Sequence, residues 1–198
     1  MKAPKLTDRR VLRTRRTLRN ALVELILERG WDEVSIQDVC ERADVGRSTF
    51  YMHFADKEDL LLSGFDDLRK ELRAQIAAHA GADRQVLGFV RGLLEHVHEN
   101  QRLGRAMFGK RSGQAVQKHL HQVVLEFVQE DLSGLAPAGP RLEVAVHYVT
   151  GAFFELLTWW LDARNPLPPA ELSELFHQLT LPVLSTLRGG RAPAGETR

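Results

Sequence analysis

The stretch "SIQDVCERADVGRSTFYMHFADK", residues 35–57, decides how the rest of the chain is read. Ser35 with Asp38 three residues on is a helix start signal, and the helix it opens is expected to reach about Arg42. Asp44 stands at the turn that follows; Asp accepts a left-handed backbone better than most residues other than glycine. A second short helix is expected over 46–53. Asp56 then caps a longer one, with Glu58 and Asp59 beside its positive end. Val39, Ala43, Val45 and Phe50 supply an inward face, and Ile36, Cys40 and Phe54 are also expected in the core. Two short helices joined by a tight turn have helix-turn-helix proportions. In that motif the second helix enters the DNA major groove and offers short polar side chains from its N-terminal end, where Arg47, Ser48 and Thr49 stand here. Tyr51, His53 and Lys57 have the donors and the reach to hold phosphates.

Charge points the same way. The chain has 198 residues and a net charge of +1. Residues 1–20 carry eight basic side chains against Asp8 alone, a net of +7, which leaves −6 for the other 178. A basic end on an acidic body suits a polyanionic partner. An apolar content of 43% and a charged content of 27% are those of a globular protein. No apolar run is expected to reach the length needed to span a bilayer, and Met1 to Lys5 lacks the apolar segment of a secretory signal, so a cytoplasmic protein without a membrane partner is expected. The lone Cys40 is read as a small buried hydrophobe.

Almost every other segment has helical period, and no strand-like alternation or internal repeat occurs. Leu18, Ala21, Leu22, Leu25 and Ile26 make the apolar stripe of a first helix over 8–29, which Gly30 is suited to stop. Further helices are expected over 57–79, 83–99, 101–110, 113–134, 140–164 and 169–188. "AGAD", "GLAPAGP" and "NPLPP" separate some of them, and Pro182 is expected to kink the last. An all-α fold follows. It divides into a helix-turn-helix domain over 1–55 with a basic N-terminal arm, a helical regulatory and dimerisation domain over 56–188, and a frayed tail over 189–198. The change from small to larger helices falls inside the 57–79 helix.

"ALVELILERGWDEVSIQDVCERADVGRSTFYMHFADKEDLL", residues 21–61, resembles the DNA-binding domain of the TetR family of bacterial transcriptional regulators. The pattern is an apolar helix, a Gly30-Trp31 corner, Ser-Ile-x-Asp-Val, Ala-x-Val, Thr-x-Tyr-x-His-Phe and Lys-Glu-x-Leu. "TWWLDARNPLPPAEL" is similar to a late-helix corner of many relatives. Asp44, Gly46, Ser48 and Met52 depart from the usual residues, so the operator sequence does not follow from the resemblance. It implies DNA contacts at Ser35, Gln37, Arg47, Ser48, Thr49, Tyr51, His53 and Lys57. It also implies a homodimer on double-stranded operator DNA, most simply a repressor released by a small-molecule effector.

The C-terminal helices are apolar on more than one side, as a helix buried both in its own subunit and against a partner would be. Ala145, Val149, Ala152, Leu156, Trp159 and Trp160, with Leu175 and Leu179, are the expected dimer contacts. An effector cavity is expected among Phe65, Leu68 and Leu72, together with Phe89, Leu93, His96, Met107 and Phe108, and Val123, Phe127, Tyr148 and Phe153. Glu95 and His98 have the i, i+3 spacing of a di-metal helix, but a bundle needs a second copy and none occurs; no metal or other cofactor is expected. No phosphate loop, nucleophile elbow or metalloprotease motif is present, so an enzyme is the remote alternative. A DNA-binding protein of the same fold without an effector is the nearer one.

Overall fold

The computed structural model describes residues 6–78, 86–108, 114–164 and 166–188, with backbone alone at 6–8, 107, 108, 114–116 and 188. The expected tail over 189–198 lies outside the described residues. Nine α-helices are described, and no strand occurs among these residues: α1 (Leu6–Arg29), α2 (Ile36–Ala43), α3 (Arg47–Tyr51), α4 (Lys57–Ala78), α5 (Phe89–Glu99), α6 (Gln101–Phe108), α7 (Gln114–Ser133), α8 (Pro140–Asp162) and α9 (Pro169–Arg188). The chain forms two compact units that divide within α4: Met1–Ala74 with Glu99–Leu120, and Gln75–His98 with His121–Arg198.

In the first unit, α2 packs on α1 and α3 packs on α2, with α6 also against α1. Leu18, Leu22, Val39 and Phe50 are fully buried, and Leu25, Ile26, Cys40 and Ala43 nearly so. Burying each large apolar side chain contributes about 1.5–3 kcal/mol, enough to hold helices too short to persist alone. Gly30 takes φ +83 and its N–H donates to the Ile26 carbonyl, ending α1. Asp44 takes φ 51 and ψ 47, as expected at that turn. Its N–H and that of Val45 donate to the carbonyls of Glu41 and Cys40, closing the end of α2. Ion pairs fasten the helices. Arg42 of α2 grips Glu28 of α1 through both its terminal nitrogens, at 2.8 and 2.7 Å, and reaches Glu24 at 3.2 Å. The hydrogen bonds to Glu28 and Glu24 raise the Arg42 pKa, and those from Arg42 lower that of Glu28.

The second unit is built on a ring cluster. Phe89 stacks on Phe127 with centroids 5.1 Å apart, and Phe153 meets Phe89 and Phe176 edge-on at 6.1 and 5.5 Å. α8 packs along α9. The entry to α5 is later than the sequence suggests: residues 86–88 form a turn and the helix begins at Phe89, because Leu87 takes φ 62. That turn is held from two sides. The Asp131 carboxylate accepts from the Leu87 N–H at 2.8 Å, and the buried His177 ring brings Nε2 within 3.1 Å of the Val86 carbonyl. One expectation is corrected. α8 is long and apolar enough to cross a membrane by length and composition alone, with 44% of its apolar window buried. α9 runs through Pro182 as one helix.

Candidate nucleic-acid interface and subunit face

Short-range chemistry positions α2 and α3. Ser35 is the N-cap of α2: its Oγ accepts from the Asp38 N–H at 3.2 Å, while the Asp38 carboxylate accepts from the Ser35 N–H at 2.9 Å. The Ser35 hydroxyl, its backbone N–H and Arg29 at 3.2 Å hold the Asp38 pKa down to about 2. A lowered carboxyl pKa adds stability above its unfolded value, near 3.8, that is lost as pH falls through about 2. Acid titration of the folded chain is therefore expected to weaken the start of α2 between about pH 4 and pH 2. Asp38→Asn should remove that part of the pH dependence, as read by urea denaturation at stepped pH.

On α3, Phe50 points inward and is fully buried, whereas Arg47, Ser48, Tyr51 and Met52 are exposed. Their spacing of i, i+1, i+4 and i+5 puts these four on one outward face. Thr49 and His53 are half-buried at its margins. The Tyr51 ring is held edge-on by Phe50 with centroids 5.5 Å apart, which leaves its hydroxyl at the end of a fixed arm. Gln37 is exposed on α2, its amide donating to Glu41 at 2.9 Å. The Ser35 hydroxyl is occupied as a cap.

Lys57 does something the sequence did not announce. Its ammonium donates to the carbonyls of Trp31 at 3.0 Å and Val34 at 2.8 Å, and lies 4.5 Å from the centre of the Trp31 ring. Two of its three donors are thus spent on the corner between α1 and α2, and only the third can meet a phosphate. Lys57→Ala is expected to cost about 1–2 kcal/mol of stability, since hydrogen bonds from a charged group are worth about 1.5–3 each when buried and this one is half-exposed. A purely phosphate-binding lysine would leave the melting temperature where it is.

Arg15 is a second residue the sequence reading missed. It donates to the His53 carbonyl at 3.3 Å, with its guanidinium 4.4 Å from the centre of the Phe54 ring, tying α1 to the end of α3. Arg19 pairs with Asp67 of α4. Burial pushes the Asp67 carboxyl up, but Arg19 and Lys70 outweigh it and its pKa is lowered. Cys40 is a buried free thiol whose pKa burial raises. Such pairings could be suspected from charge, but sequence spacing does not tell which arginine meets which partner.

The expected dimer contacts divide by side. Val149 and Trp160 are fully buried and Ala145 is 6% exposed, so these three face the interior of the second unit; the Trp160 indole N–H donates to the Leu167 carbonyl at 2.9 Å. Ala152, Trp159, Leu175 and Leu179 face outward, and Leu156 is half-buried. The stripe left open on α8 is Val144, Tyr148, Ala152 and Trp159, and α9 adds Leu175 and Leu179, the last 74% exposed. Tyr148, expected in a cavity, is 54% exposed on that outer stripe. Of the other expected cavity residues, Phe65, Leu68 and Leu72 are buried in the first unit; Phe65 lies 5.2 Å from the His119 ring. Phe89, Leu93, Val123, Phe127 and Phe153 are buried in the second, and His96 is half-buried. The side chains of Met107 and Phe108 lie outside the described residues. Glu95 pairs with Arg91 at 2.9 Å, His98 lies 5.9 Å from the Trp160 ring, and no metal-binding group of three or more such side chains occurs among the described residues.

Comparisons with known proteins agree with this geometry. The family model described as "Bacterial regulatory proteins, tetR family" matches residues 18–63, and one described as "Transcriptional regulator C-terminal region" matches 85–181. The HTH-type transcriptional regulator TcmR of Streptomyces glaucescens is 33% identical over 105 residues, which cover 48% of this chain and 46% of TcmR. The chain thus spans about half the length of that relative. Among solved structures, a TetR transcriptional regulator from Streptococcus agalactiae superposes with a TM-score of 0.67 at 24% identity, covering 88% of this chain and 97% of that one. Thermus thermophilus FadR, a TetR-family repressor solved with lauroyl-CoA, gives 0.59 at 23% identity, covering 91% and 100%. These two show the same fold. With a helix-turn-helix at residues 35–54 and the two family models matching most of its length, the chain belongs to the tetR family of bacterial regulatory proteins.

Proposed function

We propose that the protein is a homodimeric, cytoplasmic repressor that occupies a two-fold symmetric operator and leaves it when a small molecule binds. The observation that carries the reading is the outward face of α3, where Arg47, Ser48 and Tyr51 stand exposed on a helix whose other side is locked by Phe50. Arg47, Ser48 and Thr49 are assigned to base edges, and Tyr51, His53, Gln37 and the free donor of Lys57 to phosphates, with Ser35 holding α2 in place. Two such helices must sit about 34 Å apart to enter successive major grooves. The apolar outer stripe of α8 and α9 suits the partner subunit that would hold them there. An effector acts only through its differential affinity for the spread and the bound states. FadR of Thermus thermophilus, of the same fold, was solved with lauroyl-CoA, which supports a small-molecule effector without naming this one. The same fold without an effector is the second reading. It is favoured by the closed packing of Phe89, Phe127 and Phe153, which an incoming molecule in that unit would have to part.

Selection of binding sites from random duplexes by the full chain tests the reading, with an inverted repeat as the expected product. Arg47→Ala is then expected to cost about 1–3 kcal/mol and to relax preference at one base pair of each half-site. An unchanged preference would take Arg47 off the base edges. Failure to enrich any sequence would sink the repressor reading.

A further inference from the structure

We infer that the cleft between α1 and α4 in the first unit is a binding site for a small organic dianion, a phosphate monoester or a dicarboxylate. The cleft measures about 570 Å³, and both of its walls belong to that unit. One wall is a single side of α1, with Arg15, Arg16, Arg19 and Asn20. The facing wall carries Ser63, Asp66, Asp67 and Lys70, at the i, i+3, i+4 and i+7 spacing of one side of α4. The two helices thus meet here through long charged side chains rather than through a close apolar seam.

The charges across the cleft do not balance. Three arginines and Lys70 face two carboxylates, a surplus of two positive charges. Both carboxylates are already answered: Asp67 by Arg19 and by Lys70 at 3.6 Å, and Asp66 by Arg69 at 3.5 Å. Several donors are not. Arg16 and Asn20 are exposed and have no hydrogen bond or ion pair among the described residues. The enclosed Nε–H of Arg19 meets no acceptor. Ser63, 6% exposed, donates its hydroxyl proton to the Leu60 carbonyl at 2.6 Å, which leaves its oxygen to accept from a ligand hydroxyl. A fitting ligand therefore brings acceptors and two negative charges, which guanidinium groups hold through paired, charge-assisted hydrogen bonds. The volume leaves room for an organic body beyond the anionic group. A DNA duplex meets only the exposed rim, at Arg16 and Asn20, because Ser63 and the Arg19 Nε lie buried behind it. Arg15 gives the site a consequence: it lines the cleft while donating to the His53 carbonyl just beyond α3. An anion that draws this guanidinium also pulls on the helix assigned to base edges. That consequence rests on the DNA-binding reading above, whereas the site itself does not.

The test is calorimetric titration of the full chain with glucose 6-phosphate and with malate, at constant ionic strength and without DNA, so that this site and the DNA-binding reading stand or fall separately. Glucose and acetate are the controls. At least one dianion should bind saturably, one per chain, and neither control should. Arg16→Gln should weaken that binding at least about tenfold, the usual worth of a hydrogen bond from a charged group. Gln keeps helix propensity, and the Arg16 side chain holds nothing within the fold, so the variant should melt with its parent. Arg13→Gln removes the same charge one turn away, outside the cleft, and should leave dianion binding unchanged. Asp66→Asn should strengthen it, because a repelling carboxylate is lost. Absence of saturable binding by both dianions up to about 10 mM overturns the site. Equal weakening by Arg13→Gln and Arg16→Gln also overturns it, by making the attraction that of the basic helix as a whole. Weaker duplex binding by Arg16→Gln, in a chain whose parent takes neither dianion, would assign the rim of the cleft to the DNA backbone and overturn the inference.

Discussion

Ala152→Glu combined with Leu179→Glu is expected to give a folded, helical monomer whose operator affinity is lower by at least about 1,000-fold. Ala152 and Leu179 are exposed in the single chain, so a carboxylate at either position meets water there and leaves the second unit intact. At a two-fold seam each substitution appears twice, and burying such carboxylates without partners is strongly unfavourable. The effect on DNA follows from dimer arithmetic. Specific complexes of this kind have dissociation constants of about 10⁻⁸ to 10⁻¹¹ M. A monomer keeps one half-site and about half the binding free energy, which moves the constant to the region of 10⁻⁴ to 10⁻⁶ M. Sedimentation, circular dichroism and duplex titration on one sample decide the matter. A dimer that survives both substitutions puts the seam elsewhere, and a chain that unfolds contradicts the outward orientation of Ala152 and Leu179.

Phe50→Ala is expected to destabilise the first unit by about 3–5 kcal/mol, the usual cost of removing a large buried ring. The case is severe because α3 has only five residues, far below the length at which a helix persists in water. Phe50 is fully buried, its ring lies against Tyr51 and Phe54 at 5.5 and 5.9 Å, and its carbonyl accepts from the N–H groups of His53 and Phe54. Without the ring, the outward face that holds Arg47, Ser48 and Tyr51 has nothing to orient it. Operator binding should therefore fall together with the urea midpoint. Arg47→Ala makes the useful contrast: it should weaken binding while leaving the midpoint unchanged. A Phe50→Ala chain with an unchanged midpoint would mean that α3 is held by something other than this ring.

Caps and turns were legible from the residues alone, because they act over three or four positions. The Ser35–Asp38 box, the left-handed Asp44 and the stop at Gly30 each depend on one side chain or one backbone conformation, so a short window of sequence suffices. Helical period likewise announced every described helix. It misjudged the start of α5 by several residues, since the turn at 86–88 is held by Asp131 and His177, 44 and 91 positions distant. Buried apolar residues on α1 to α3 were also foreseeable, because a short helix with a single apolar face has a single way to turn it.

Facing and pairing were not legible. α8 is apolar around most of its circumference, so its period alone could not say that Val149 and Trp160 turn inward while Val144 and Tyr148 turn out. That is set by where α9 lies along it. Lys57 and Arg15 look, as residues, like free cations suited to phosphate, and both are committed to backbone carbonyls in the segments that connect the helices. A long flexible cation is attracted to any acceptor within reach, and which acceptors are within reach is a property of the packed chain. Local order therefore came from neighbours along the sequence, whereas the outward face of each helix and the partners of each charge came from neighbours across the fold. The physical reason is range: a cap or a turn closes within one helical turn of its own residue, but burial and ion pairing depend on surfaces that meet only after the helices have packed.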